Sequence, residues 1–305
     1  MNINVSHQDE KIKFENIIQK DVSLANYTTI KTGGIAKTFC TPGRFEELAR
    51  ALEYARLNDL KIYIMGAGSN LLISDKPIEG LVIRTTKLCR YSIRGNIFSC
   101  RAGMSLDKAI SITQNDGMLG LEGLGGIPGS IGGGIYGNAG AYGYTISDRL
   151  LYIDYITFDG KSHRMDRNGE DFTYRGSPFK SMKNFIIFEA GFMLDKNKYS
   201  TFAKQVRDRN TKNRVTKGLL TYPSAGSIFK NPENFIAGKL IEDCGLKNKS
   251  INDAFICETH ANYIMNKGKA TSSDIYKLSQ LCRQEVLKKF NIELEYEIQL
   301  IGDFS

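Results

Sequence analysis

An α+β fold in more than one unit is predicted by three features of this 305-residue chain. From Lys61 to Gly103 the runs KIYIMG, LLIS, GLVIRT, YSIRG and NIFSCRAG follow one another with turn residues between them. No helix separates these runs, which favours a mixed sheet over a doubly wound one. After about residue 200 the character changes to two helical stretches and one strongly alternating segment, which divides the chain into residues 1–200 and 201–305.

The first helical element, RFEELARALEYARLND from Arg44 to Asp59, sets Phe45, Leu48, Ala49, Leu52 and Ala55 on one face, the spacing of an amphipathic helix. KIYIMG then reads as a buried strand. SLDKAISITQNDG offers Ser105 as an N-cap and Gly117 as a terminator, so a short helix delivers the chain into the glycine-rich stretch that follows. LLYIDYITFDGKSHRMD predicts a hairpin turning at Asp159-Gly160, and FIIFEAGFML a further strand. In the last unit NFIAGKLIEDCG and SSDIYKLSQLCRQEVLKKFN predict helices. IELEYEIQLIG predicts a strand with Ile292, Leu294, Tyr296, Ile298 and Leu300 on one face and Glu293, Glu295, Glu297 and Gln299 on the other.

Composition narrows the class. With 41% hydrophobic and 24% charged residues the chain is globular rather than disordered. Its six cysteines stand singly, without the paired spacing of a zinc or dithiol site, so reduced core residues and no metal are expected. The amino-terminal MNINVSHQDEKIKFENIIQKD is charged, and no run approaches the ~18 apolar residues of a bilayer span, so a cytoplasmic protein without membrane contact is expected. The net charge of +8 invites an anionic partner, with KQVRDRNTKNRVTK, Lys204 to Lys217, as the one dense basic stretch. It lacks interleaved aromatics and reads at least as well as a solvated helix face. A phosphorylated small molecule accounts for the surplus as well as nucleic acid does.

Two glycine-dense stretches carry the chemistry. GLGGIPGSIGGGIYGNAGAYG, Gly123 to Gly143, holds ten of the chain's 30 glycines. Glycine costs about 0.5–1 kcal/mol inside a regular element, so such density implies sharp turns or close contact with a flat or phosphorylated ligand. The triplet Gly132 to Gly134 also fits a plain strand bulge. GAGSNLL, Gly66 to Leu72, begins like a dinucleotide fingerprint but fails: Leu71 takes the third glycine position and Pro77 and Gly80 interrupt any following helix. Its remaining meaning is a turn whose amides converge on a pyrophosphate, or a simple strand connection.

In order along the chain, NYTTIKTGG, GAGSNLLIS, the glycine stretch, YRGSPFK (174–180), YPSAGSIFKNP (222–232), GKLIEDCGLK (238–247), HANYIMN (260–266) and LEYEIQLIG (294–302) resemble the UDP-N-acetylenolpyruvoylglucosamine reductase family. The resemblance covers nearly everything from Asn26 to Gly302. It implies a two-lobed FAD-binding domain of the vanillyl-alcohol-oxidase/PCMH type, with lobes of about 20–85 and 86–200. The α+β unit from residue 201 would close over a UDP-sugar. FAD would be noncovalent and NADPH the co-substrate.

The implied cofactor contacts are Gly66, Ala67, Gly68, Ser69, Asn70, Gly125, Gly126, Pro128, Gly129, Ser130, Gly132, Gly133, Asn138, Gly140, Ala141 and Arg214. Arg175 matches the family's arginine, whose planar fork suits a carboxylate. Ser227 matches the proton donor and Glu297 the carboxy-terminal acid. The alternation by itself leaves Glu293, Glu295 and Glu297 equivalent. Lys230 and Asn231 resemble substrate contacts and Tyr174 a supporting residue, while His260 reads as structural. The interval from Arg175 to Ser227 is too short for an extra tyrosine-bearing loop, which implies the shorter family variant. Gly218-Leu219 and Tyr144-Thr145 depart from the commoner Gln-Pro and Gly-Glu. A monomer or weak oligomer is expected. The rival readings are an oxygen-using flavin oxidase, which often holds FAD covalently through His or Cys, and a basic nucleotide- or RNA-binding protein.

Overall fold

The structure, a computed structural model, describes residues 17–167, 172–196, 200–216, 218–219 and 221–305, without the side chains of residues 200–203 and 214. The first region contains β1 (Ile18–Ser23), β2 (Ile35–Cys40), α1 (Phe45–Leu57), β3 (Ile62–Met65), β4 (Leu71–Ile73) and β5 (Ile78–Arg84). Its sheet runs β1-β2-β5-β3, antiparallel between β1 and β2 and parallel elsewhere. Helix α1 makes the crossover that a parallel pair requires. It buries Leu48, Ala51, Leu52 and Ala55 in a core shared with Leu81 and Ile83. Between β3 and β4 the chain turns through Gly66–Asn70 with no helix, as the failed fingerprint predicts.

The second region contains β6 (Tyr91–Arg94), β7 (Ile97–Arg101), α2 (Leu106–Asn115), β8 (Met118–Leu119), α3 (Ile131–Tyr136), β9 (Gly140–Ala141) and β10 (Tyr144–Thr145). It continues with β11 (Leu150–Thr157), β12 (Ser162–Asp166), β13 (Phe185–Met193), β14 (Asp195–Lys196) and α4 (Ser200–Thr216). Five strands form an antiparallel sheet, β12-β11-β13-β7-β6, over a core that includes Phe98, Phe179, Phe192, Ile131 and Ile135. Ser105 caps α2, its hydroxyl accepting from Lys108 N at 3.2 Å. The triplet Gly132 to Gly134 lies inside α3 and is not a bulge. Helix α4, the basic stretch expected in the carboxy-terminal unit, bonds to this region: Asn210 Nδ2 donates to Gly123 O at 2.9 Å and Arg207 to Asp107 at 2.6 Å.

The third region contains β15 (Ser224–Ser227), α5 (Ala237–Asp243), β16 (Ser250–Ile251), β17 (Ala254–Ile256), β18 (Tyr263–Asn266), α6 (Ser272–Phe290) and β19 (Gln299–Ile301). The sheet β15-β18-β17-β16 packs with α5 and α6 around Leu240, Ile241, Ile275, Leu278 and Val286. Thr271 and Asp274 form a capping box at α6. Asp75 of the first region adds a second cap, accepting from Ser272 N at 2.9 Å and Ser273 N at 2.8 Å. Strand β19 pairs in parallel with β4, which binds this region to the first.

The expected strand across 292–302 is corrected: only Gln299–Ile301 is strand. Upstream, Leu294 and Ile298 are buried, Lys230 N donates to Glu295 O, and Glu297 N to Ile228 O. The segment is an irregular strap drawn across the end of β15, and its alternation reflects one-sided burial rather than a ladder. Leu300 is exposed, against the expected face. The six thiols are free, and burial pushes those of Cys40 and Cys282 up to about 12. Among the described residues no helix is long and apolar enough to cross a membrane.

Candidate active site

A cleft of about 940 Å³ is walled by all three regions. The first contributes the Gly66–Asn70 turn, the second the glycine stretch and Arg175, and the third β15 and the strap. The two glycine segments meet there. Ser69 Oγ donates to Pro128 O at 2.9 Å, and a Cβ on Gly66 would overlap Ser130 Oγ. Gly68 has φ +70° and its missing Cβ would strike Tyr27 O, so only glycine fits that bend without strain. Thr29, also in the cleft wall, pins the turn: its N donates to Gly68 O at 3.1 Å and its Oγ1 to Ser224 O at 2.7 Å.

Ala67, Gly68, Ser69 and Asn70 donate their amides to no acceptor among the described residues, although all four line the cleft. Successive free amides in a tight turn form an anion-binding nest. At the facing wall a Cβ on Gly133 would meet only Ser130 Oγ, at 3.4 Å, so the absent side chain leaves a flat surface on the cleft. A free-amide turn opposite a bare wall fits a flat cofactor carrying a diphosphate.

At the other end lies a polar corner. Arg175 sits in a tight hairpin with φ +55°, where Thr173 and Gly176 form a bridge. Its Nε donates to Glu297 Oε1 at 2.5 Å and its Nη1 to Gly140 O at 3.1 Å. The two side chains are only 23% and 16% exposed, so water screens their attraction little but each charge also loses hydration. Burial raises the Glu297 carboxyl above the usual range, outweighing Arg175, Lys180 and Lys230, which pull it down. Glu293 and Glu295 are exposed, so the structure distinguishes Glu297 from its neighbours. Asn70 Nδ2 donates to Glu297 O at 3.1 Å, tying the acid to the nest. Ser227 lines the same cleft, one residue before Ile228, whose carbonyl accepts from Glu297 N at 2.8 Å.

Of the expected cofactor contacts, Gly66, Ala67, Gly68, Ser69, Asn70, Pro128, Gly129, Ser130, Gly132, Gly133, Gly140 and Ala141 line the cleft. Gly125, Gly126 and Asn138 do not. Gly125 abuts Arg207, and Asn138 is buried behind the wall. A Cβ on Gly132 would lie 2.8 Å from Ala102 Cβ, so part of its need for glycine comes from scaffold packing. The Arg214 side chain lies outside the described residues. Tyr174, Lys230 and Asn231 stand beyond the corner rather than in the cleft wall: Asn231 N donates to Tyr174 Oη at 3.3 Å and Lys230 pairs with Glu295 at 2.8 Å.

Sequence reasoning passed over Thr29 and Lys180. Thr29 lies inside NYTTIKTGG and Lys180 inside YRGSPFK. Lys180 lines the cleft, and partial burial with the nearby Lys230 and Arg175 charges lowers its pKa, against the pull of Glu297. His260 also lines the cleft, stacked at a tilt on Tyr263. The two sequence departures have local causes. The Tyr144 ring occupies the space over Gly123, Thr145 forms a capping box with Asp148, and Gly218, at φ +66°, ends α4.

Comparison with known proteins agrees with this geometry. Residues 36–166 match the family model described as FAD binding domain, and residues 218–301 match the model for the carboxy-terminal domain of UDP-N-acetylenolpyruvoylglucosamine reductase. The chain is 34% identical over 304 residues to the UDP-N-acetylenolpyruvoylglucosamine reductase of Clostridium novyi, covering 99% of this chain and 98% of the relative. It is 38% identical over 280 residues to that of Exiguobacterium sibiricum, covering 92% and 91%. The crystal structure of the Thermus caldophilus enzyme superposes with a TM-score of 0.78 at 30% identity, over 92% of this chain and 98% of the other. Fold and cleft therefore define an FAD-dependent oxidoreductase with a two-lobed flavin-binding domain and a carboxy-terminal α+β domain. The chain belongs to the UDP-N-acetylenolpyruvoylglucosamine reductase family.

Proposed function

We propose that this enzyme uses NADPH to reduce the enolpyruvyl ether of a UDP-N-acetylglucosamine derivative to UDP-N-acetylmuramate, a precursor of bacterial peptidoglycan. FAD, when bound, would supply the hydride chemistry between nicotinamide and enolpyruvyl double bond. The amides of Ala67 to Asn70 would hold the diphosphate of that cofactor, with Gly133 leaving room beside it.

The remaining chemistry falls to the polar corner. Hydride addition places negative charge on the carbon skeleton next to the substrate's carboxylate. Arg175 offers its fork to that carboxylate, and a protonated Glu297 donates a hydrogen bond to the same developing charge. The buried carboxyl is already biased toward its neutral form, so an arriving anion that takes Arg175 from Glu297 completes the protonation. Ser227 delivers a proton to the substrate carbon. Tyr174, Lys230 and Asn231 face the sugar nucleotide beyond the corner.

The observation that carries this reading is the Arg175–Glu297 contact at 2.5 Å, sharing a cleft wall with Ser227. Anaerobic spectra test it: the yellow protein should bleach with NADPH and recolour with the enolpyruvyl substrate. Ser227→Ala should bleach normally and recolour about 10²–10⁴-fold more slowly, the usual worth of positioned acid catalysis. Equal slowing of both halves removes Ser227 from the proton-donor role, and a colourless preparation that takes up no FAD removes the reading altogether.

A further inference from the structure

The hairpin that carries Arg175 is mounted on the glycine stretch at three points. Asn138 Nδ2 donates to Thr173 O at 2.8 Å, Ser177 Oγ donates to Tyr136 O at 2.7 Å, and Arg175 Nη1 donates to Gly140 O at 3.1 Å. The first of these comes from a side chain with 4% exposure that lies outside the cleft wall, on a backbone at φ +42°. Asparagine tolerates that left-handed bend better than most residues, and its amide supplies the donor that a glycine there would lack. Arg175 itself sits at φ +55°, a conformation that its surroundings must enforce.

We infer that Asn138 is a positioning residue for the substrate-carboxylate clamp: by holding Thr173 O it fixes the hairpin, and so the Arg175 fork, to the stretch that walls the cofactor. This rests on the reading of Arg175 as the carboxylate ligand and departs from the expectation that Asn138 touches the cofactor. Asn138 Oδ1 is buried without a partner among the described residues. A cofactor N–H reaching that oxygen would make Asn138 a flavin ligand instead, and the two roles give opposite results.

The test compares two ligands of the oxidised, FAD-loaded protein by calorimetry. UDP-N-acetylmuramate carries a carboxylate on its lactyl ether, and UDP-N-acetylglucosamine has the same diphosphate without it. Asn138→Gly keeps the backbone conformation but removes the donor, and Asn138→Asp keeps size and conformation while replacing the donor with an acceptor. Both variants should retain FAD and its spectrum, lose about tenfold affinity for UDP-N-acetylmuramate, and bind UDP-N-acetylglucosamine as the unaltered protein does. Combined with Arg175→Lys, the loss should be far from additive, because both changes act on one contact. Loss of FAD or a shifted flavin spectrum in Asn138→Asp, equal weakening of both nucleotides, or additive losses would each overturn the inference. Should Arg175→Lys alone leave UDP-N-acetylmuramate affinity intact, the underlying reading of Arg175 fails, whatever the Asn138 variants do.

Discussion

The turn from Gly66 to Asn70 and the stretch from Gly123 to Gly143 are both rich in glycine, yet their backbones do different work. In the turn, four successive amides reach the cleft without an acceptor among the described residues. In the longer stretch, the amides from Ile131 to Gly134 are all engaged: Ile131 with Met104 O, Gly132 with Ala102 O, Gly133 with Ser130 Oγ and Gly134 with Ser130 O. The turn therefore offers hydrogen-bond donors, and the segment from Ile131 to Gly134 offers surface. Glycine density alone does not separate these roles. The fate of the N–H groups does.

Substitution can break this contrast. Gly68→Ala should have the largest effect, because a left-handed alanine and the overlap with Tyr27 O together cost roughly 2–5 kcal/mol. Most of the FAD affinity should go with it, measured by quenching of free flavin fluorescence. Gly132→Ala should cost about 1–3 kcal/mol of stability through overpacking on Ala102, read as a lower urea midpoint, with FAD affinity nearly kept in the folded fraction. If it empties the protein of flavin as thoroughly as Gly68→Ala does, the distinction between donor turn and packed wall is wrong.

Gly133→Ala sharpens the contrast. Its methyl would point into open cleft, and alanine improves a helix interior by up to about 1 kcal/mol, so the flavin-free protein should melt no lower while FAD binding weakens by about 1–3 kcal/mol. The smallest effect concerns the corner between the two segments. Because burial raises the Glu297 pKa, the native state favours its protonated form, a contribution present below the unfolded carboxyl value of about 4.3 and lost as pH rises through the folded one. Glu297→Gln should therefore gain stability relative to the unaltered protein as pH climbs from 4 toward 8, by urea midpoints of the two. A constant difference across that range would show that Arg175 cancels the effect of burial.

Much of the scaffold was legible because single-element signals were strong. Ser105 and Gly117 bracket α2, the Arg44 stretch yields α1, and Asp159-Gly160 turns the hairpin of β11 and β12. The failures have a common physical origin in partners distant along the chain. IELEYEIQLIG alternates as a strand should, but Ile228 O captures the Glu297 amide and no neighbouring strand runs beside residues 292–295. Gly132 to Gly134 form helix although glycine disfavours it, because Ser130 caps the turn and Ile131 and Ile135 are buried on either side. Arg175, Ser227 and Glu297 were chosen by resemblance, since nothing local to any one of them announces a shared corner. Thr29 and Lys180 escaped because a lone threonine or lysine has no periodic or spacing signature.

The parallel pairing of β19 with β4, together with the bond from Asn70 to a carbonyl 227 positions downstream, has a consequence for how the protein comes into being. A ribosome makes the donor turn 227 residues before the carbonyl that braces it. Throughout that interval the growing polypeptide has an unfinished flavin seat, and contacts of such long range close slowly. A translation fault between the two would leave the turn without this brace.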